Sequence, residues 1–161
     1  MLDKKNPVYR TVRGYELIHQ QAGKLTSALE DYLEMTYRLC VADNYARVGR
    51  LSVLLNVKPS SVSKMIAKLA QYGYLKCDRY DIIQLTDLGW ETGAFLMQRH
   101  ETVEKFLRFV GSKNPLEETE LIEHSLSPAT VSNLHCLLRF FEKNPTILEK
   151  FQAYMASNNT E

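Results

Sequence analysis

Cysteine is scarce in this chain and badly placed for covalent or zinc chemistry. The 161 residues hold three, Cys40, Cys77 and Cys136, an odd number at wide spacing with no C-x-x-C pair. That argues against a disulfide framework and a cysteine-ligated zinc site, and leaves them as small core or partly exposed side chains. Long apolar runs are missing too. Residues 1–22 lack the apolar stretch of a signal peptide, and no segment approaches the roughly 18 apolar residues of a membrane span. The expectation is a chain of the reducing cytoplasm with no membrane partner. Glycine (7) and proline (5) are sparse, and there is no internal repeat or low-complexity segment. The length suits one ordinary domain, or two small ones sharing a continuous core.

An excess of either charge is lacking overall, since the formal net charge is +1. The distribution is uneven, however. Residues 1–94 carry thirteen Lys and Arg against ten Asp and Glu, whereas residues 95–161 carry seven against nine. Between Ala46 and Thr86 the imbalance sharpens: Arg47, Arg50, Lys58, Lys64, Lys68, Lys76 and Arg79 face only Asp78 and Asp81. Attraction to phosphate is the natural use for such a segment, beside the plainer reading of a solvated basic face.

Residues 1–14, with Lys4, Lys5, Arg10 and Arg13, show no strong periodicity, and 1–22 reads as an N-terminal arm. Ser27-x-x-Glu30 has the form of a capping box, and Leu29, Leu33, Thr36, Tyr37 and Cys40 follow at helical spacing, so a helix is expected to about Ala42. Arg47 to Leu55 reads as a short helix stopped by Asn56. Pro59-Ser60-Ser61 opens another, with Val62, Met65, Ile66 and Leu69 on one face and Gly73 at its end. Two helices joined by so brief a turn suggest helix-turn-helix. Tyr74 to Asp78 and Ile82 to Leu85 are β-prone runs around Arg79-Tyr80-Asp81, a hairpin that would form a wing.

Thr86 is placed to cap a long helix reaching Val110, with Leu88, Phe95, Leu96, Val103, Phe106, Leu107 and Val110 on its buried side and Gly111 ending it. Asn114-Pro115 and Ser127-Pro128 each start a further helix, and Pro145 sets off a last one from Thr146 to about Ala156. The fold class is therefore mainly α. Phe95, Phe106, Phe109, Phe140 and Phe141 are expected in a core or an interface, and Trp90 near the hinge between the halves. His19 and His135 have no clustered partners.

Seven residues able to bind a metal fall in three clusters at helical spacing: Asp31 with Glu34, His100 with Glu104, and Glu120 with Glu123 and His124. Any one of these is also what a solvated helix face looks like. They become a site only if folding gathers them.

Longer runs carry a resemblance. Leu29-Glu30-Asp31-Tyr32-Leu33-Glu34, Val57-Lys58-Pro59-Ser60-Ser61-Val62-Ser63-Lys64-Met65, Gln98-Arg99-His100-Glu101 before Phe106-Leu107, and Ile122-Glu123-His124-Ser125-Leu126-Ser127 after Glu120 resemble the metal-dependent repressors of the diphtheria toxin repressor family, and within it the manganese transport regulator branch. After the arm over 1–22, the resemblance implies a winged helix-turn-helix DNA-binding domain over 23–94, with its small β-hairpin wing, and an all-helical metal-binding and dimerisation domain over 95–161. It also implies a homodimer on double-stranded operator DNA that represses metal-uptake genes. The metal ligands would be Asp31, Glu34, His100, Glu104, Glu120, Glu123 and His124, serving two ions per subunit. Iron-responsive relatives carry Met where Asp31 stands and Cys where Glu120 stands. Oxygen at both positions suits Mn(II), with Fe(II), Zn(II), Co(II) or Cd(II) as substitutes.

The same resemblance makes the helix starting near Pro59 the recognition helix. Lys58, Pro59, Ser60, Ser61, Ser63 and Lys64 would meet the major groove, Arg47, Arg50 and Lys68 the backbone, and Lys76, Arg79 and Tyr80 would act from the wing. Two features depart from the family pattern: Tyr80-Asp81-Ile82 stands where glycine often turns the wing, and the arm is longer. The family's optional SH3-like third domain is not expected, since too few residues follow Glu142. Carboxylates gathered about 5 Å apart would repel by roughly 3 kcal/mol per pair at an effective dielectric near 20, so the site is expected to be loose without a cation. Three readings compete with manganese response: regulation by iron(II) or another divalent ion, a winged-helix regulator sensing an organic ligand, and a carboxylate-bridged di-metal oxidase. The last wants Glu-x-x-His, but Met97 and Leu121 stand three residues before His100 and His124.

Overall fold

The computed structural model describes residues 25–78 and 82–158. The expected arm, His19 and the wing turn Arg79-Tyr80-Asp81 lie outside the described residues. The chain divides into two compact units after Gly93, a point inside one continuous helix, Asp87–Phe109.

The first unit opens with α1 (Ser27–Asp43). Its N-cap is Thr26, whose hydroxyl accepts from the Leu29 amide at 3.3 Å. The expected box at Ser27 is thus displaced by one residue, because Thr26 already satisfies an orphan amide of the first turn. Leu29, Leu33, Thr36 and Cys40 are buried at the anticipated three- and four-residue spacing. Asn44 ends the helix in the left-handed region.

Where a helix from Arg47 to Leu55 is expected, Ala46–Arg47 is instead a short strand, β1, and α2 covers only Val48–Leu54. The partner of β1 lies far along the chain: Ala46 faces Ile83 and Arg47 faces Ile82 across an antiparallel ladder. Two residues are too few to show strand periodicity, and local spacing is blind to a distant edge. Asn56, with φ 52°, closes α2 as anticipated. The Val57 amide donates to the Ser52 carbonyl and the Asn56 amide to that of Val53, the bond pair that lets a helix stop abruptly.

α3 (Pro59–Gln71) follows, with Val62, Ile66 and Leu69 buried. Gly73 ends it at φ 84°, a conformation in which a side chain would clash with its own backbone. β2 (Leu75–Cys77) and β3 (Ile82–Leu85) form the expected hairpin. The sheet is nevertheless three-stranded, in the order β1-β3-β2. Ile82 lies in extended strand, and its amide donates to the Asp78 side chain at 3.0 Å across the hairpin mouth.

α4 (Asp87–Phe109) starts as expected, the Thr86 hydroxyl accepting from the Gly89 amide at 3.1 Å. The same hydroxyl donates to the Gly73 carbonyl at 2.6 Å, tying this helix start to the end of α3. A Cβ on Gly89 would penetrate the Tyr74 carbonyl oxygen. Leu88, expected on the buried side, is 45% exposed, because the inward stripe begins one residue later, at Gly89. Trp90 meets Tyr37 edge-to-face at 5.5 Å.

The second unit holds the rest of α4, then α5 (Pro115–Ile122), a 3-10 turn (Glu123–Ser125), α6 (Pro128–Lys143) and α7 (Pro145–Asn158). Ser127 caps α6 by accepting from the Thr130 amide at 3.1 Å. Phe109 stacks on Phe151 at 5.1 Å and Phe141 leans on both. Glu123 and His124 belong to the tighter 3-10 turn rather than to the helix carrying Glu120. Three residues apart across that junction, Glu120 and Glu123 still fall on one side, both within 3.6 Å of the same imidazole nitrogen.

Candidate metal centre and nucleic-acid interface

His100 is the hub of the second unit's polar centre. α4 delivers it buried, with Val103 and Leu107 on the same inward stripe. Its Nδ1 stands 3.1 Å from Oε1 of Glu123 and 3.6 Å from Oε1 of Glu120, while Nε2 faces Oε2 of Glu104 at 3.9 Å. One imidazole thus meets three carboxylates, from its own helix, from α5 and from the 3-10 turn. Glu123 is fully buried, Glu104 partly, and the Glu120 side chain is more than half exposed. This donor set fits a hard divalent cation: oxygen predominates, one imidazole nitrogen is available, and no sulfur lies among these residues.

His124 sits beside this group and is bonded to Arg99, whose Nη2 lies 3.0 Å from His124 Nδ1. Arg99 Nε also donates to Oε2 of Glu123 at 3.4 Å. On the outer side Arg108 Nε donates to Glu104 Oε1 at 3.0 Å. Arginines thus share part of the carboxylate charge at this centre. Single-residue spacing gives no sign of Arg99, which pairs with residues 24 and 25 positions away.

The other two anticipated ligands belong to the first unit. Asp31 is half-buried and Glu34 buried on α1. Glu34 Oε1 accepts from Arg38 Nε at 2.9 Å, one turn on.

The basic residues of the first unit are displayed outward. Lys58, Pro59, Ser60, Ser61, Ser63, Lys64 and Lys68 are all exposed along α3 and its start, as are Arg47, Arg50 and Lys76. No side chain caps α3, and Pro59 occupies its first turn, which leaves a positive helix end facing solvent. Some groups are already engaged: Ser63 Oγ donates to the Pro59 carbonyl at 3.1 Å, Arg50 pairs with Asp43, and Arg47 lies over the Tyr45 ring at 5.5 Å. Arg79 and Tyr80 fall outside the described residues. Cys40 is buried against the sheet, and burial pushes its thiol above the ordinary cysteine range, with a backbone hydrogen bond at Leu85 pulling the other way. Cys77 and Cys136 are exposed.

A winged helix-turn-helix followed by a helical unit with a His-carboxylate centre defines a class: DNA-binding regulators that carry a metal site. Comparison with known proteins narrows it. Residues 24–82 match the iron dependent repressor N-terminal DNA binding domain, and residues 86–152 match the iron dependent repressor metal binding and dimerisation domain. The chain belongs to the iron-dependent repressor family. It is 38% identical to the HTH-type transcriptional regulator MntR of Lysinibacillus sphaericus (strain C3-41), over 83% of this chain and 98% of that protein. It is 36% identical to MntR of Geobacillus kaustophilus (strain HTA426), over 83% and 96%.

Among solved structures it resembles the metal-dependent transcriptional regulator MtsR (TM-score 0.64, 27% identity, 72% of this chain and 55% of that one). It also resembles ScaR with bound Zn2+ (TM-score 0.58, 32% identity, 70% and 54%). The match spans about half the length of these solved chains. The family consists of DNA-binding repressors, so the oxidase alternative falls. Among the described residues no helix is long and apolar enough to cross a membrane.

Proposed function

We propose that this chain is a cytoplasmic, manganese-responsive repressor of metal-uptake genes that binds a palindromic operator as a homodimer. The observation that carries the proposal is the convergence on buried His100 of Glu104, Glu120 and Glu123, in a chain of this family. Asp31 and Glu34 from α1 and His124 from the 3-10 turn complete the proposed ligands, arranged for two ions per subunit. Fe(II), Zn(II), Co(II) and Cd(II) are substitutes, since intrinsic affinity for nitrogen and oxygen sites rises toward copper whatever the physiological ion. Functional boundaries follow at 23–94 for DNA binding and 95–161 for metal binding and dimerisation.

When bound, the cation would supply positive charge among these carboxylates, and DNA binding would become metal-linked. Lys58, Ser60, Ser61 and Lys64, at the open end of α3, then meet the major groove, with Pro59 and Ser63 beside them. Lys68, Arg47 and Arg50 hold phosphates, while Lys76, Arg79 and Tyr80 act from the wing. Hydroxyls and helix amides bind phosphate well and read bases poorly, which puts weight on DNA shape. Two-fold symmetry sets the recognition helices roughly one turn, or 34 Å, apart. Linkage requires operator to tighten metal binding by the factor that metal tightens operator binding.

The test is fluorescence anisotropy on a duplex selected by the protein from a random library with manganese present. Binding with Mn(II), its loss with chelator, and loss of the metal response in folded Glu34→Gln and His124→Ala are the expected results. Equal binding with manganese and with chelator would overturn the proposal in favour of an organic ligand.

A further inference from the structure

Glu34, Glu104 and Glu123, all proposed as ligands, each have an arginine partner, and one of these pairs differs from the other two. Arg38 and Arg108 follow Glu34 and Glu104 by one helical turn, with side chains 38% and 62% exposed. Such pairs form on many helix surfaces and water screens them. The Arg99 side chain is 3% exposed and that of its partner Glu123 1%. No helical spacing dictates this pair, and its guanidinium reaches two groups at once, Glu123 Oε2 and His124 Nδ1.

The chemistry of that fork is one-directional. A guanidinium has donors only, so Nδ1 of His124 must accept, and the ring hydrogen then resides on Nε2. With Nδ1 accepting and Nε2 protonated, His124 has no lone pair to offer a cation while the bond stands. Glu123 is likewise divided, one oxygen toward Arg99 and the other toward His100. A guanidinium and a divalent ion placed side by side among buried groups also repel strongly.

We infer that Arg99 is an internal counter-cation that positions Glu123 and His124 and competes with the metal ion for them. His124 joins a metal only when the guanidinium lets go, so Arg99 raises the metal concentration at which the regulator responds. This inference rests on the ligand set proposed above. Arg99 is a positioning residue: it sets which atoms are available rather than supplying one.

The test uses the full chain, stripped with chelator, as wild type, Arg99→Met and Arg99→Lys. Long-range proton–nitrogen NMR on histidine-labelled wild type should find His124 with hydrogen on Nε2, and Arg99→Lys should weaken that preference. Manganese titration followed by the electron-spin signal of the free ion should find Arg99→Met binding about tenfold tighter, and Arg99→Lys about two- to threefold, because a lysine keeps the charge but not the fork. Hydrogen on Nδ1 of wild-type His124, or manganese binding unchanged or weaker in a folded variant, overturns the inference. Should Arg99→Met fail to fold, Arg99→Lys decides. A wild type that binds no manganese overturns the ligand proposal itself, and the inference with it.

Discussion

The two units bury their apolar side chains in different ways. In the first, Leu33, Leu51, Val62 and Leu69 are wholly buried and Ile83 nearly so, which closes a core between three helices and a small sheet. In the second, Val131 is the one residue buried on α6 and none is buried on α7, while Leu121 stands 74% exposed and Leu116, Leu137, Phe140 and Tyr154 are open to solvent as well. Beside Leu96, Val103, Leu107 and Val131, its buried groups are polar: Arg99, His100, Thr102, Thr119 and Glu123. The first unit closes an apolar core of its own. The second encloses an ion pair, Arg99 with Glu123, and leaves large apolar side chains in solvent, surface that a dimerisation domain has to offer.

The largest way to break this contrast is to remove one partner of the buried pair. Glu123→Ala should cost about 3–5 kcal/mol in urea unfolding, because it leaves the Arg99 guanidinium buried with less compensation. The same change at exposed Glu120 should stay within about 0.5 kcal/mol. A comparable loss at both positions would mean that burial does not distinguish them.

Leu51→Ala in the first core should cost about 2–5 kcal/mol, the range for a buried leucine that leaves a cavity. Leu121→Lys should barely alter the unfolding slope yet shift the protein toward monomer in sedimentation. A dimer unaffected by Leu121→Lys together with Phe140→Lys would move the interface elsewhere.

Gly89→Ala should cost about 1–3 kcal/mol, since the new methyl group meets backbone rather than a yielding side chain. Urea unfolding at matched protein concentration checks it. The smallest effect concerns Cys40. Its folded thiol ionises above the unfolded value, taken as 9.0. The contribution is fully present below that pH and is lost as pH rises from it toward the folded value. Two thiols, Cys77 and Cys136, should react quickly with a disulfide reagent at neutral pH, and the third only on unfolding. Rapid reaction of all three in native protein would contradict the burial.

Much of the fold was legible because its signals are local. Asn56, Gly73 and Gly111 end helices where expected, and Val62, Ile66 and Leu69 face inward at helical spacing. What escaped depends on partners remote in the chain. Strand Ala46–Arg47 exists through its pairing with Ile82 and Ile83, and Arg99 acquires its role from residues in the 3-10 turn. Within the candidate site, spacing alone joins His100 to Glu104. Only the tertiary fold adds Glu120 and Glu123 to that imidazole. The shift of the first cap from Ser27 to Thr26 is a smaller matter: either hydroxyl could cap, and one residue of register decides.

β3 is the middle strand of the sheet, with β1 on one edge and β2 on the other. The wing is therefore not an appendage that can be trimmed independently. Changes in loop length between Asp78 and Ile82 should be tolerated only while Ile83 keeps its register with both Ala46 and Cys77. A slip by one residue would turn Ile83 toward solvent and loosen the entrance to α2 in the same motion, so variation in how this chain grips its target has to be sought in surface side chains rather than in the span of the hairpin.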